Sequence, residues 1–356
     1  MCCRRIFLPV LPLRNLAAVE LEARAEEMAE PAVPVVDIAA FLADPSSDAA
    51  ASVAAAWDAA FREYGIVYLT GHGVPEDATS ELASSATTFF SQSEEAKMAS
   101  CLHQGYGKGG FVPVGVEAVA RSRPEGAGSA PDAVENIVFS HAGDPALESV
   151  MPSEPPTLQP SVAAYWAAMR ALLGQLMQLS AKALGLPGAY FDAAFERPKC
   201  NLRLAHYPPM PADADERAPG VLRYGAHTDY TGFTILRPDP EIIGLEAQAA
   251  DGVWISVPPR PGALIVNAGD LLQVWTNDRW RSAPHRVVNP PPGSAPRPRL
   301  SLVFFTGPAD DTVVEPLPNC HGPEAPKKYE PVSAREHLLR KLGRSNTDVL
   351  KDLKLK

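Results

Sequence analysis

The chain has 356 residues, enough to bury a full core in one large domain or two smaller ones. Its formal net charge of −10 argues against nucleic acid as a main partner, because phosphate binding needs a positive footprint. No apolar run approaches the roughly 18–20 residues of a membrane span, and the five cysteines (Cys2, Cys3, Cys101, Cys200 and Cys320) form no CxxC, which suits a reducing compartment.

Residues 1–32 read as a flexible extension. Arg4, Arg5 and Arg14 precede the first acid, Glu20, as in an organelle transit peptide, yet no Ser or Thr occurs before Ser46, and Pro9 and Pro12 interrupt the apolar stretch. Cytoplasmic residence is the expectation, with organelle targeting left open; Cys2-Cys3 is only a weak lipidation signal.

Val33-Pro-Val-Val-Asp-Ile reads as a first strand. Asp48 to Tyr64 carries Val53, Ala56, Trp57, Ala60 and Phe61 at helical spacing, with Gly65 placed to end the helix. Ile66 to Thr70 reads as a strand stopped by Gly71-His72-Gly73, and Glu76 to Met98 as one further helix. The Gly- and Pro-rich stretch from Gly105 to Pro131 is expected to be a long loop over a cavity mouth. Ser161 to Gly185 is the strongest helix, closed by Gly185 and Pro187.

From Lys199 onward short strands alternate with Gly, Pro, Asn and Asp: Asn201–Tyr207, Tyr224–Asp229, Thr234–Arg237, Leu245–Gln248, Trp254–Val257, Ala263–Val266, His285–Val288 and Leu300–Phe305. That spacing suggests a sandwich or a barrel-like jelly roll. The tail from Pro331 reads as a basic helix (Arg335, Arg340, Lys341, Arg344) packed across an opening of the barrel. The expected divisions are 33–150, 151–198 as linking helix, 199–308 as catalytic barrel and 309–356 as helical tail.

Two patterns carry chemistry. His227 and Asp229 lie two apart in a run read as strand, where i and i+2 share a face, and His285 follows in another strand. Two imidazoles and one carboxylate suit ferrous iron and leave coordination positions open. Arg299 and Ser301 obey the same spacing, presenting a guanidinium and a hydroxyl side by side to one carboxylate. Arg297 competes for that role, but no Ser stands two residues after it.

The text around these residues resembles the Fe(II)/2-oxoglutarate-dependent dioxygenases of the isopenicillin N synthase-like superfamily. The resemblance rests on Tyr207-Pro-Pro, Gly225-Ala-His-Thr-Asp-Tyr-Thr, Val257-Pro-Pro-Arg-Pro-Gly-Ala, Asn267-Ala-Gly-Asp-Leu-Leu-Gln-Val-Trp-Thr-Asn, Ser282-Ala-Pro-His-Arg-Val-Val-Asn and Arg299-Leu-Ser. It extends N-terminally through Val33-Pro-Val-Val-Asp, Tyr64-Gly-Ile-Val-Tyr-Leu-Thr-Gly-His-Gly-Val, Gly105-Tyr-Gly, Phe111 and Asp132-Ala-Val-Glu-Asn. The interval from His285 to Arg299 is a few residues longer than the family pattern and reads as a longer surface turn.

The resemblance implies an α+β fold: a double-stranded β-helix (jelly-roll) core with flanking helices and an N-terminal mixed α/β region. It implies Fe(II) on His227, Asp229 and His285, and 2-oxoglutarate held at its distal carboxylate by Arg299 and Ser301, with Tyr207 donating a hydroxyl to the same group. O2 is the co-substrate and ascorbate is supportive. The expected activity is hydroxylation, desaturation or cyclisation of a small organic molecule by a monomer with no nucleic-acid or membrane partner. Asp229 argues against halogenation, because the related halogenases lack that carboxylate. An oxidase of the same superfamily that uses no 2-oxoglutarate and a non-catalytic ligand-binding barrel are the alternatives.

Among the remaining residues, Asn267, Asp270 and Trp275 read as turn and packing residues and His72 as structural. Gln273 and Phe305 are expected to line the cavity by strand alternation, and His206 to point outward. Phe233 fits either core or substrate wall.

Overall fold

The computed structural model describes residues 33–101, 109–126, 128–140, 151–209, 222–290 and 295–345; the N-terminal extension and its targeting lie outside the described residues. The first part alternates strand and helix: β1 (Val35–Asp37), α1 (Ala39–Ala43), α2 (Asp48–Glu63), β2 (Ile66–Thr70), α3 (Glu76–Phe90) and α4 (Glu94–Cys101). Ser47 caps α2 by accepting the Ala50 N–H at 3.1 Å. Gly65 follows that helix at φ +71°, where a Cβ would meet the Arg281 carbonyl oxygen at 2.5 Å.

The single helix expected over 76–98 is two. Thr87, Thr88 and Ser91 turn their hydroxyls back onto the carbonyls of Ala83, Ser84 and Thr88, and Ser93 then starts a new helix by accepting the Ala96 N–H. The stretch read as a long loop, whose first residues 105–108 lie outside the described ones, also has structure. Gly110–Val112 is β3, and Val119–Ser122 and Pro124–Gly126 are short 3-10 turns. The strand that receives β3, β4 (Glu135–Ser140), gives no sequence signal because nearly every residue in it is buried, so no alternation shows.

Helix α5 (Leu158–Ala183) starts three residues before the expected Ser161, and α6 (Asp192–Phe195) leads into the barrel strands. These are β5 (Lys199–Tyr207), β6 (Tyr224–His227), β7 (Phe233–Arg237), β8 (Leu245–Gln248), β9 (Trp254–Ser256) and β10 (Leu264–Ala268); a short helix α7 (Asp270–Trp275) precedes β11 (His285–Val287) and β12 (Arg299–Gly307). The chain then runs through β13 (Val313–Val314) and β14 (Val332–Ser333) to α8 (Ala334–Ser345). Because Asp270 to Trp275 are helical, Gln273 does not line the interior by strand alternation. Its amide oxygen accepts the Ser282 N–H and its nitrogen donates to the Tyr329 hydroxyl.

Two sheets form the jelly roll. The major sheet runs β1-β2-β10-β7-β12-β5-β4-β3 and the minor sheet β6-β11-β8-β9. Across β5 and β12, Tyr207 opposes Arg299, Ala205 opposes Ser301 and Arg203 opposes Val303, so these six share one face. The opposite face carries Leu202, Leu204, Phe304, Ile235 and Phe233 and packs with Trp57, Leu82, Phe89, Leu172 and Leu176 from the helices in one apolar core. Phe233, fully buried between Trp57 and Phe61, is a core residue. His206, on this helix-covered face, does not point outward. Its ring stacks on Phe90 at 4.7 Å and its Nδ1 lies 2.7 Å from Glu135 Oε1, beside the buried Lys97–Glu135 pair.

Among the described residues no helix is long and apolar enough to cross a membrane. Phe233→Ala should destabilise the fold by about 3–5 kcal/mol, the range for emptying a large aromatic from a core; denaturant unfolding followed by tryptophan fluorescence measures it.

Candidate metal centre

β6 and β11 lie side by side in the minor sheet with His227 directly opposite His285. Their rings are 4.3 Å apart between centroids. The strand ends at His227, so Asp229 sits just beyond it and not on the same strand as the i, i+2 reading had it. The bend still delivers the carboxylate: Asp229 Oδ1 is 3.7 Å from both His227 Nε2 and His285 Nε2. One ligand atom from each residue falls within 4.8 Å of the others, the sole such cluster of three or more acids, histidines or cysteines among the described residues.

The groups behind these three side chains set their chemistry. His227 Nδ1 donates to the Gly225 carbonyl at 2.9 Å and His285 Nδ1 to the Ala283 carbonyl at 3.1 Å. A carbonyl can only accept, so Nδ1 carries a proton in each ring and Nε2 is the nitrogen turned toward the cluster. Burial, and then the neighbouring His285, hold the His227 imidazole well below its ordinary pKa, so it is neutral near pH 7. Burial works to raise the Asp229 carboxyl, but the two imidazoles and hydrogen bonds from Asn267 and Thr234 outweigh it and keep it below the usual range. Thr234 Oγ1 and Asn267 Nδ2 both donate to Asp229 Oδ2, leaving Oδ1 turned to the histidines. Asn267, read from the sequence as a turn residue, thus orients the Asp229 carboxylate.

Asp132 supports the same corner. It accepts the Val119 and Gly225 N–H groups at 2.7 and 2.9 Å, fixing the residue whose carbonyl holds His227. Burial pushes its carboxyl up to about 6 against the pull of those two bonds.

On the facing sheet, Arg299 and Ser301 are each 2% exposed. Arg299 Nε and Nη1 and Ser301 Oγ are buried without a hydrogen-bond partner among the described residues, and the guanidinium lies 5.0 Å from the Tyr207 ring centre. Two buried guanidinium nitrogens and a hydroxyl with open hydrogen-bonding capacity on one strand face fit an incoming carboxylate. Arg297, in contrast, pairs with Glu241 at the surface. Two strand positions from Ala205 and four from Tyr207, Arg203 grips Glu117 through Nη1 and Nη2 at 2.9 and 3.1 Å and donates to the Tyr224 hydroxyl. Phe305 lies under the Arg203 guanidinium at 5.8 Å. His72 takes a local structural role, accepting the Val74 N–H. A surface groove of about 600 Å³ beside Trp166, Arg170 and Lys199 sits at the far end of β5 from Tyr207 and brings no such ligand set.

Residues 198–308 match the family model of the 2OG-Fe(II) oxygenase superfamily, and residues 33–160 match the N-terminal region of non-haem dioxygenases in morphine synthesis. The chain is 32% identical to validamycin A dioxygenase of Streptomyces hygroscopicus subsp. limoneus, over 90% of this chain and 88% of that protein. It is 32% identical to a homoarginine-6-hydroxylase of Oryza sativa subsp. japonica, over 87% of this chain and 96% of that one. Its fold is similar to that of a full-length Neurospora crassa protein crystallised in complex with alpha-KG, with a TM-score of 0.78 and 27% identity over 89% of this chain and 97% of the other.

Asn267→Ala and Thr234→Val should each weaken divalent-ion binding roughly 10–100-fold, the usual effect of losing a partner that orients a ligand. Chelator-competition titration of the metal-free protein measures it, with circular dichroism reporting the fold.

Proposed function

The chain belongs to the 2OG-Fe(II) oxygenase superfamily, and from that premise we propose that His227, Asp229 and His285 hold its iron while Arg299 and Ser301 anchor the distal carboxylate of 2-oxoglutarate. The protein is a 2-oxoglutarate-dependent Fe(II) dioxygenase acting on a small organic molecule. Bound together, the iron and keto acid supply oxidative decarboxylation to succinate and CO2, coupled to a two-electron oxidation of the substrate by O2. The observation that carries the residue assignment is the pairing of a His-Asp-His cluster with buried Arg299 Nε and Nη1 and Ser301 Oγ on the facing sheet, none of which has a hydrogen-bond partner among the described residues.

The side chains divide the work. Nδ1 protons held on backbone carbonyls keep the His227 and His285 rings turned so that Nε2 faces the site. Thr234 and Asn267 keep one Asp229 oxygen occupied and the other toward the imidazoles. Arg299 and Ser301 offer hydrogen bonds where water is excluded, and the Tyr207 ring braces the guanidinium. The Tyr207 hydroxyl is the further donor proposed for the same carboxylate.

The substrate wall is proposed to include Glu117, Asn136, Arg203, Tyr224 and Phe305. Glu117 neutralises Arg203, so this wall offers hydrogen bonds without net charge. Asn136 Oδ1 and Arg203 Nε, buried and without a partner among the described residues, are one acceptor and one donor left for a ligand. A neutral, hydrogen-bonding part of the substrate fits here better than a carboxylate or an amine, whose charge would be buried unpaired.

Arg299→Leu should raise the KM for 2-oxoglutarate about a hundredfold or more, since removing one partner of a buried ion pair costs roughly 3–5 kcal/mol. Succinate release in the presence of iron and ascorbate measures it; a loss below about fivefold would place the anchor elsewhere. In a succinate-release screen of small metabolites, neutral hydrogen-bonding compounds should rank above their carboxylate analogues in the wild type. Glu117→Gln, which frees the guanidinium, should reverse that order, and an unchanged ranking would remove Arg203 from the substrate wall.

A further inference from the structure

Asp270 opens α7, yet its carboxylate is bonded away from that helix, toward both segments that carry the proposed ligands. Oδ1 accepts the Ser282 hydroxyl at 2.7 Å and Oδ2 the Thr228 hydroxyl at 3.4 Å. Thr228 stands between His227 and Asp229. Ser282 adjoins Ala283, whose carbonyl receives the His285 Nδ1 proton. The Asp270 backbone N–H donates to the Asp229 carbonyl at 2.9 Å. One residue therefore touches the backbone or near neighbours of all three ligands while remaining outside their cluster.

The fourth contact comes from the far end of the chain. Lys341 Nζ of α8 lies 2.6 Å from Asp270 Oδ2, with the lysine side chain 24% and the aspartate 15% exposed. His337, one turn earlier, has Nε2 at 3.9 Å from the same oxygen. The same helix packs on the 3-10 turn Val119–Ser122, which Asp132 ties to Gly225 behind His227. Hydroxyls alone are weak partners for a largely buried carboxylate, so the lysine charge is what favours holding Asp270 inward.

We propose that Asp270 is a positioning residue for the metal centre and that Lys341, by holding its carboxylate, makes affinity for the divalent ion depend on the seating of the C-terminal helix. Without that charge the Asp270 carboxylate turns toward solvent, Thr228 and Ser282 lose their acceptor, and the ligand segments on either side of the ion loosen together. The inference rests on the assignment of His227, Asp229 and His285 as the ligands.

The experiment is an anaerobic Co(II) titration of full-length, metal-stripped protein, read by the visible d–d absorption of the bound ion and by competition with a chelator. Lys341→Met should weaken Co(II) binding about tenfold, within the range for losing a supporting partner, and change the d–d band. Lys341→Arg should return affinity to within about threefold of wild type, because it keeps the charge. Asp270→Asn should weaken binding at least as much as Lys341→Met, and the double variant should add little to either single change. Thermal unfolding of each metal-free variant sets a temperature at which all are folded, so lost structure is not read as lost affinity. Wild-type affinity and spectrum in Lys341→Met, alongside weak binding in Asp229→Ala, overturns the proposal and leaves the ligand assignment standing. Equal losses in Lys341→Met and Lys341→Arg overturn it as well. Unaltered binding in Asp229→Ala would instead overturn the ligand assignment on which the proposal rests.

Discussion

The carboxylate of Asp229 is the joint between the two sheets. One oxygen is held by Thr234 of β7 and Asn267 of β10 in the major sheet; the other faces His227 and His285 of the minor sheet at 3.7 Å each. A buried carboxylate is tolerated only with partners on every side, and here those partners come from both layers of the jelly roll. The separation and register of the sheets and the shape of the proposed metal centre are therefore set by the same contacts.

The two faces of the major sheet have different tasks. The helix-covered face is apolar and aromatic, with Trp57, Phe61, Phe233 and Trp280 in edge and tilted contacts, and it supplies most of the buried apolar area. The face toward the minor sheet carries Arg203, Arg299, Ser301, Thr234 and Asn267, groups that contribute little to stability and must each be paired or await a ligand. Stability is concentrated on one side of the sheet so that polar chemistry can be sustained on the other. Even the polar cluster on the helix side, Lys97, Glu135 and His206, is closed on itself and lies behind β4 and β5.

Spacing makes much of this readable. Strand alternation puts Arg299 and Ser301 on one face, and the β5–β12 register confirms that geometry. Applied to His227 and Asp229, the same rule anticipates their convergence for an incomplete reason, because the strand stops between them. The two converge because the bend after His227 is held by the Asp270 N–H on the Asp229 carbonyl. Where both faces of a strand are buried, as in β4, no period appears, and Glu135–Ser140 has no signature to read. The serine and threonine hydroxyls that divide α3 from α4 are local signals of a helix end, but the apolar spacing that continues through them masks the break.

Residue identity and local spacing are enough to say which chemistry is on offer: two imidazoles, a carboxylate and an Arg-x-Ser pair, set in a run of short strands. Those properties are local to the chain, since they follow from side-chain type and the two-residue period of a strand. The groups standing behind them are a product of the closed fold alone. Thr234, Asn267 and Asp132 orient the proposed ligands, Glu117 neutralises Arg203, and Lys341 reaches Asp270 from the end of the chain. Asp132 and Gly225 are 93 positions apart, Glu117 and Arg203 are 86, and no local period encodes such pairings. They exist because closing two sheets face to face removes water, and every polar group left inside must then find its partner wherever the fold supplies one.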